Sequence, residues 1–334
     1  METSGKKKIS IGRIIGDILE FIWTLFKLAV IVSVVTIVVG FLLSRTMMIR
    51  GRNGERQATK NMKASSVVLT NKSQEDENVK AWLKKAKRQK VTMTADDGYV
   101  LVSRKIVTDK KSDKWVVVLH GYNGSMQDIY DIAMHYSKEG YNILMPDMRA
   151  CGESEGSFLG MGWLDRLDLI NWIDVILEEN PSAQIVVHGV DIGGEAAVMM
   201  TGESLKSSVK AVVAEGAYSS VWDVMRQEYE IRFEGKPVFP FLHMMNPVTK
   251  VWGGYMLTEA DAIKQVQKSN VPILLIHGAK DTYSTTDMMS RFDTAIASQH
   301  QIVELSTAMH EDGRYAEPET YYKKTFEFVN SYVK

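Results

Sequence analysis

The apolar residues of this chain fall into two regimes. Residues 28–43 are sixteen consecutive uncharged positions, and within 21–43 the single charge is Lys27. From residue 91 onward, short Val- and Ile-rich runs alternate with longer stretches of helical period, the pattern of alternating strands and helices. Strands are expected at 91–94, 99–107, 115–119, 141–145, 184–188, 209–214, 271–277 and 302–305. Helices are expected at 126–138, 163–178, directly after residue 192 and at 318–333, with a short one at 79–88. Continuous apolar strands in such an alternation mean a mostly parallel sheet covered on both faces. Residues 217–265 break the rhythm with Trp222, Phe233, Phe239, Phe241, Met244, Met245 and Trp252. That segment reads as a lid packed over whatever site the sheet carries.

The first apolar block reads as a membrane span. Sixteen helical residues rise roughly 24 Å, short of the ~30 Å hydrocarbon core, and adding 21–26 with Lys27 snorkelling makes the length sufficient. Lys6, Lys7, Lys8 and Arg13 precede it, and Leu43-Ser44-Arg45 offers no small-x-small cleavage site. The reading is a basic tail over 1–20, a transmembrane helix over 21–43, a polar linker over 44–78 and one domain over 79–334. Basic residues are nearly balanced across the uncharged run, five before it with Lys27 included and six in the twenty residues after it. The basic tail ahead of an anchor favours a single-pass protein of the cell membrane with its domain outside.

Composition narrows the function classes. The 334 residues carry 45% hydrophobic side chains and a net charge of −1, which gives no electrostatic footprint for nucleic acid. One cysteine, Cys151, excludes an intrachain disulfide. No spacing of His, Asp or Glu resembles a metal site, and no cofactor motif is present.

Chemistry concentrates at the ends of the predicted strands, where open α/β sheets bind ligands. Residues 184–200 read QIVVHGVDIGGEAAVMM: a strand, a turn with Gly189 and Gly193 two positions either side of Asp191, then a helix. This is the layout of a nucleophile elbow, whose glycines avoid collision with neighbouring backbone. Asp281 follows the strand ending at His277, and His310 follows the last strand, so nucleophile, acid and histidine come in triad order.

With these residues in view the chain from about residue 91 resembles an α/β hydrolase. It is similar to the bacterial, membrane-anchored, serine-aminopeptidase-like branch. The shared motifs are His120-Gly121-Tyr122-Asn123-Gly124, the run from Asp147 to Gly156, the elbow, His277-Gly278-Ala279-Lys280-Asp281 and His310. The resemblance implies an α/β-hydrolase fold and a small-molecule, short acyl or peptide substrate, with no cofactor. It also implies an oxyanion hole from the backbone amides of Tyr122 and Ile192. The chain departs from the pattern at two places. Asp191-Ile192-Gly193-Gly194-Glu195 stands where Ser, Met, two glycines and Ala are usual, and Thr282-Tyr283-Ser284 stands where an apolar residue and Pro are common.

Aspartate changes the chemistry available. At a helix N-terminus a carboxylate is favoured and needs no base to act as a nucleophile. Attack on an ester would lead toward a mixed anhydride, whose carboxylate leaves more readily than an alkoxide. Attack on a saturated carbon gives an alkyl-enzyme ester that His310, oriented by Asp281, could hydrolyse through water. Tyr218, Tyr229 and Tyr255 are candidates to protonate an epoxide. Three readings stand open: a hydrolase using Asp191, Asp281 and His310, a lapsed homologue that binds a ligand or partner, and a membrane-tethered scaffold. Elsewhere, His120 and His277 are expected to hydrogen-bond loop backbone, His188 to be core and Ser154 a loop residue. Glu195 should decorate the first helical turn, and Arg149 should pair with a carboxylate.

Overall fold

The computed structural model describes residues 11–50 and 62–334. The start of the basic tail and part of the expected linker lie outside the described residues. Helix α1 runs Ile11–Met47, and residues 12–47 of it are long and apolar enough to cross a membrane, with a mean hydropathy of 2.6 over an 18-residue stretch. Helix α2, Ser66–Leu83, is capped by the Ser65 hydroxyl, which accepts from Val68 N–H. It occupies much of the stretch expected to be linker and absorbs the short helix expected at 79–88.

The sheet has eight strands: β1 Arg88–Thr94, β2 Val100–Ile106, β3 Lys114–Leu119, β4 Asn142–Pro146, β5 Gln184–Val190, β6 Val209–Glu215, β7 Ile273–Gly278 and β8 His300–Leu305. Their spatial order is β1-β2-β4-β3-β5-β6-β7-β8. The β1–β2 and β2–β4 pairs are antiparallel and all others parallel. Each expected strand is found, displaced at its ends by a few residues. Registers such as Leu119 opposite Gly189 and Gly278 opposite Leu305 bring the carboxyl ends of β3, β5, β7 and β8 to one edge.

The helices between strands are α3 Tyr130–Lys138, α4 Asp165–Glu179, α5 Ile192–Met200, α6 Val221–Arg232, α7 Met245–Gly253, α8 Ala262–Val266 and α9 Thr286–Ala295, and α10 Gly313–Ala316 and α11 Pro318–Val329 follow β8. Side-chain alternation along β3 sorts the core into two layers. Val117 and Leu119 pack with residues of α4, α5 and α9, while Val116 and Val118 pack with residues of α3 and α11.

The end of α1 is part of the domain. Leu43, Ser44, Met47 and Met48 are buried, Leu159 N–H donates to Met48 O at 2.9 Å, and Ile49 bridges Phe158. A Cβ on Gly40 would fall inside van der Waals contact of the Met244 carbonyl oxygen, so glycine permits this close crossing. The 44–50 part of the expected linker is therefore built into the core instead of holding the domain away from the helix. The lid segment forms α6, a 3₁₀ turn at Leu242–Met244, α7 and α8. Met245 packs inward as expected, but Phe239, Phe241 and Trp252 face outward, 71%, 36% and 52% exposed.

Candidate active site

Asp191 caps α5 with φ +52° and ψ −116°, a backbone conformation that costs energy for any residue with a side chain. Two main-chain bonds hold it: its N–H donates to Glu215 O at 2.8 Å and its carbonyl accepts from Glu195 N–H at 2.8 Å. The elbow glycines are sterically required. A Cβ on Gly189 would run into Gly193, and one on Gly193 would lie 2.6 Å from His120 O. The strand–turn–helix expected from the sequence is present, and the side chain of Asp191 is wholly buried.

Asp191, Asp281 and His310 come together. His310 Nδ1 donates to Asp281 Oδ2 at 2.7 Å, and His310 Nε2 lies 3.4 Å from Asp191 Oδ1. Asp281 is fixed by Tyr283 N–H at 2.7 Å and Ser284 N–H at 2.9 Å, both to Oδ1. The altered triplet 282–284 thus supplies the turn that orients the acid. The Tyr283 ring also packs edge-on against His310, 4.9 Å between centroids.

The second oxygen of Asp191 accepts a main-chain amide. Tyr122 N–H, an amide expected in the oxyanion hole, donates to Asp191 Oδ2 at 2.9 Å. Ile192, the other residue expected there, is buried as the first residue of α5.

Glu311 was not singled out from the sequence. Its Oε1 is 3.7 Å from His310 Nε2, and its φ of +60° turns it toward the site. A Cβ on Gly121 would lie 2.6 Å from that oxygen. The signal available was an acidic residue adjoining the last-loop histidine. Burial disfavours charge on His310, but Asp281, Asp191 and Glu311 outweigh it and hold its pKa well above the ordinary value. Asp191, His310 and Glu311 bring donor atoms within 4.8 Å of one another, a cation-sized cluster.

The elements carrying the triad are tied together by Glu215. Its carbonyl accepts from the elbow, and its carboxylate accepts from Gly313 N–H at 2.9 Å and lies 3.3 Å from Arg314 Nη1. Arg314 also donates to Asp131 at 2.7 Å and to Glu311 O at 3.0 Å.

Other residues take structural roles. His120 donates from Nδ1 to Gly121 O at 2.8 Å and accepts Met148 N–H on Nε2 at 3.0 Å, a neutral tautomer. His188 lies between the hydroxyls of Tyr136 and Tyr321, and burial lowers its pKa to about 3. His277 is buried, but neither ring nitrogen bonds loop backbone among the described residues, against expectation. Ser154 donates to Asp147 O and accepts from Val102 N–H. Arg149 grips Asp168 through two bonds and Asp97 through a third. Glu195 does not decorate a surface turn. It is fully buried and accepts from Tyr218 N–H at 3.0 Å, and burial raises its pKa well above the usual carboxylate range. The three candidate tyrosines donate instead to main-chain carbonyls, Tyr218 to Met161, Tyr229 to Pro237 and Tyr255 to Leu159.

Comparison with known proteins bears on the fold. Residues 114–239 match the model of the alpha/beta hydrolase fold. The chain has the α/β-hydrolase fold. Among solved structures it is similar to the Pyrococcus furiosus esterase Pf2001, with a TM-score of 0.59 and 21% identity, over 74% of this chain and 93% of that one. It is also similar to Pyrococcus horikoshii acylaminoacyl peptidase, with a TM-score of 0.56 and 17% identity, over 75% of this chain and 42% of that one. Curated relatives include YqkD of Bacillus subtilis, 23% identical over half of this chain and 55% of its own length. YfhR of Escherichia coli K12 is 25% identical over half of this chain and 52% of its own length. Both carry the description uncharacterized, and the matches span about half the length of each relative.

Proposed function

We propose that this hydrolase-fold chain is a membrane-anchored hydrolase in which Asp191 is the nucleophile, His310 the base and Asp281 its orienting acid. The observation that supports this is the division of labour on Asp191: Oδ2 accepts the Tyr122 amide, leaving Oδ1 as the attacking atom beside His310. An ester substrate would find that amide already engaged by a carboxylate, so acyl transfer is disfavoured.

On a saturated carbon the steps balance. Oδ1 forms a bond to carbon as the carbon–leaving-group bond breaks, and the leaving group departs with the electron pair. Esterification removes the charge of Asp191, so His310 is released from one of the carboxylates that favoured its protonated form, gives up its proton to solvent and can then act as a base. Water then adds to the ester carbon with its proton passing to His310 Nε2, while charge develops on Oδ2 against the Tyr122 amide. In the collapse His310 returns that proton to the departing alkoxide, giving the alcohol and the carboxylic acid of Asp191, whose proton then passes to His310 and restores the carboxylate. Because the candidate tyrosines bond to carbonyls, the reading favours a leaving group stable as an anion, such as a halide, over an epoxide oxygen.

Retention of α1 supports the anchor, since Leu43, Met47 and Met48 belong to the core. A basic tail ahead of it still favours a domain outside the cell membrane.

A second reading has its own observation. His310 is bracketed by three carboxylates in a closed site, which also suits a lapsed enzyme retaining an ion cluster. The test uses the full chain in detergent with a panel of alkyl halides and sulfonate esters, in heavy-oxygen water, beside Asp191→Ser. Turnover with heavy oxygen entering Asp191 supports the nucleophile. Ester hydrolysis confined to Asp191→Ser, with no turnover by the wild type, transfers the case to the lapsed reading.

A further inference from the structure

We infer that the outward apolar face of the lid lies in the interfacial layer of the bilayer that α1 crosses, so that the lid docks on lipid. The inference rests on the membrane-anchored reading above. It starts from the burial pattern. Val251 and Phe239 are 73% and 71% exposed, the most exposed large apolar side chains among the described residues, and Trp252, next to Val251 in α7, is 52% exposed. A soluble surface rarely groups such side chains without a partner.

The position of α1 identifies the partner. The expected span, 21–43, rises about 34 Å, enough for a hydrocarbon core of ~30 Å. Its last turn is where the lid is attached: Gly40 crosses the Met244 carbonyl at close range, and Phe41 packs against Trp252 with centroids 6.1 Å apart. Whatever depth Phe41 has in the membrane, Trp252 shares it to within a side chain. That depth is the end of the span, the level at which aromatic side chains are enriched. No linker intervenes to lift the domain off, because residues 44–50 are already folded into it.

The experiment places an environment-sensitive NBD label on the full chain in phospholipid vesicles. Val251→Cys carries the label at the lid, Val34→Cys marks mid-span, and Lys110→Cys marks the exposed loop before β3, at the opposite edge of the sheet from the site. The native Cys151 is buried. Doxyl lipids quench labels in contact with acyl chains. The expected result is strong quenching at positions 34 and 251, shallow doxyl groups being the more effective at 251, and little at 110. Quenching at 34 with position 251 no better quenched than 110 overturns lid docking and leaves the anchor intact. That is also the result if a second copy covers the face. No quenching at 34 removes the anchor and this inference with it.

Discussion

The phenol of Tyr122 donates to the carbonyl of Met47 at 2.7 Å, while the backbone N–H of the same tyrosine holds Asp191 at 2.9 Å. One residue thus joins the last turn of the apolar helix to the elbow. The segment that enters the domain is an integral part of the site's support.

A chain beginning at residue 62 should therefore be less stable than the full chain. It lacks Leu43, Met47 and Met48, each worth about 1.5–3 kcal/mol of buried apolar area, a loss on the order of 5 kcal/mol. Against a typical total of about 5–15 kcal/mol, this is a large share. Thermal scans of both chains in one detergent should differ by roughly 10 °C or more. Midpoints within about 2 °C of each other would show that the docked turn contributes little.

His310→Gln separates the two halves of the proposed reaction. Alkylation of Asp191 needs no base, whereas hydrolysis of the ester does. The variant should consume about one equivalent of an alkyl halide and then stop, with steady turnover reduced roughly 10²–10⁴-fold. Intact mass spectrometry would show the adduct, and peptide mapping would locate it on Asp191. An unmodified variant with no burst argues against Asp191 as nucleophile.

How much of this was readable in the sequence depends on the range of the interactions. The strands and the elbow are local patterns: period, Gly189 and Gly193 at fixed offsets, and a helix start. The meeting of Asp281 with His310 followed from the topology, because β7 and β8 end at the same edge. Other features depend on contacts that no local pattern encodes. Glu195 sits in a helix first turn, where an acidic residue ordinarily faces water, yet the loop at Gly162 and Tyr218 of the lid segment pack against it. Met47 and Met48 continue an apolar helix, and nothing in their spacing shows that they enter the core. Phe239 and Trp252 have the composition of lid core, yet both face outward, and no local pattern shows which way they turn.

The buried Glu195 predicts a pH dependence of stability. Its folded pKa is raised well above the usual range by burial, while the unfolded chain titrates near 4.3. Below the unfolded value both states are protonated and its contribution is fully present. As pH rises toward the folded value only the unfolded state ionises, so stability is lost. Glu195→Gln cannot ionise. Its stability relative to wild type should rise by up to about 1.4 kcal/mol per pH unit above pH ~4.3. Urea unfolding at about pH 4.5, 6 and 7.5 measures that slope, which is independent of any constant offset from the amide. Parallel curves would mean that Glu195 ionises normally in the folded chain.

Arg314 should be intolerant even of lysine. Its Nε reaches Asp131 at 2.7 Å, while Nη1 lies 3.3 Å from Glu215 and 3.0 Å from Glu311 O. A planar fork can reach these directions together, and a single ammonium cannot reproduce them. Arg314→Met leaves Asp131 and Glu215 facing each other without a cation in a buried site, at a cost of about 3–5 kcal/mol. Arg314→Lys should recover only part of that. Because α10, which begins at Gly313 and Arg314, directly follows the loop that carries His310 and Glu311, both variants should also slow ester hydrolysis more than alkylation. Denaturant midpoints with burst and steady-state rates on one halide would measure both effects. A lysine variant equal to wild type in stability and in both rates would show that Arg314 acts as a simple charge rather than as the brace of the histidine loop.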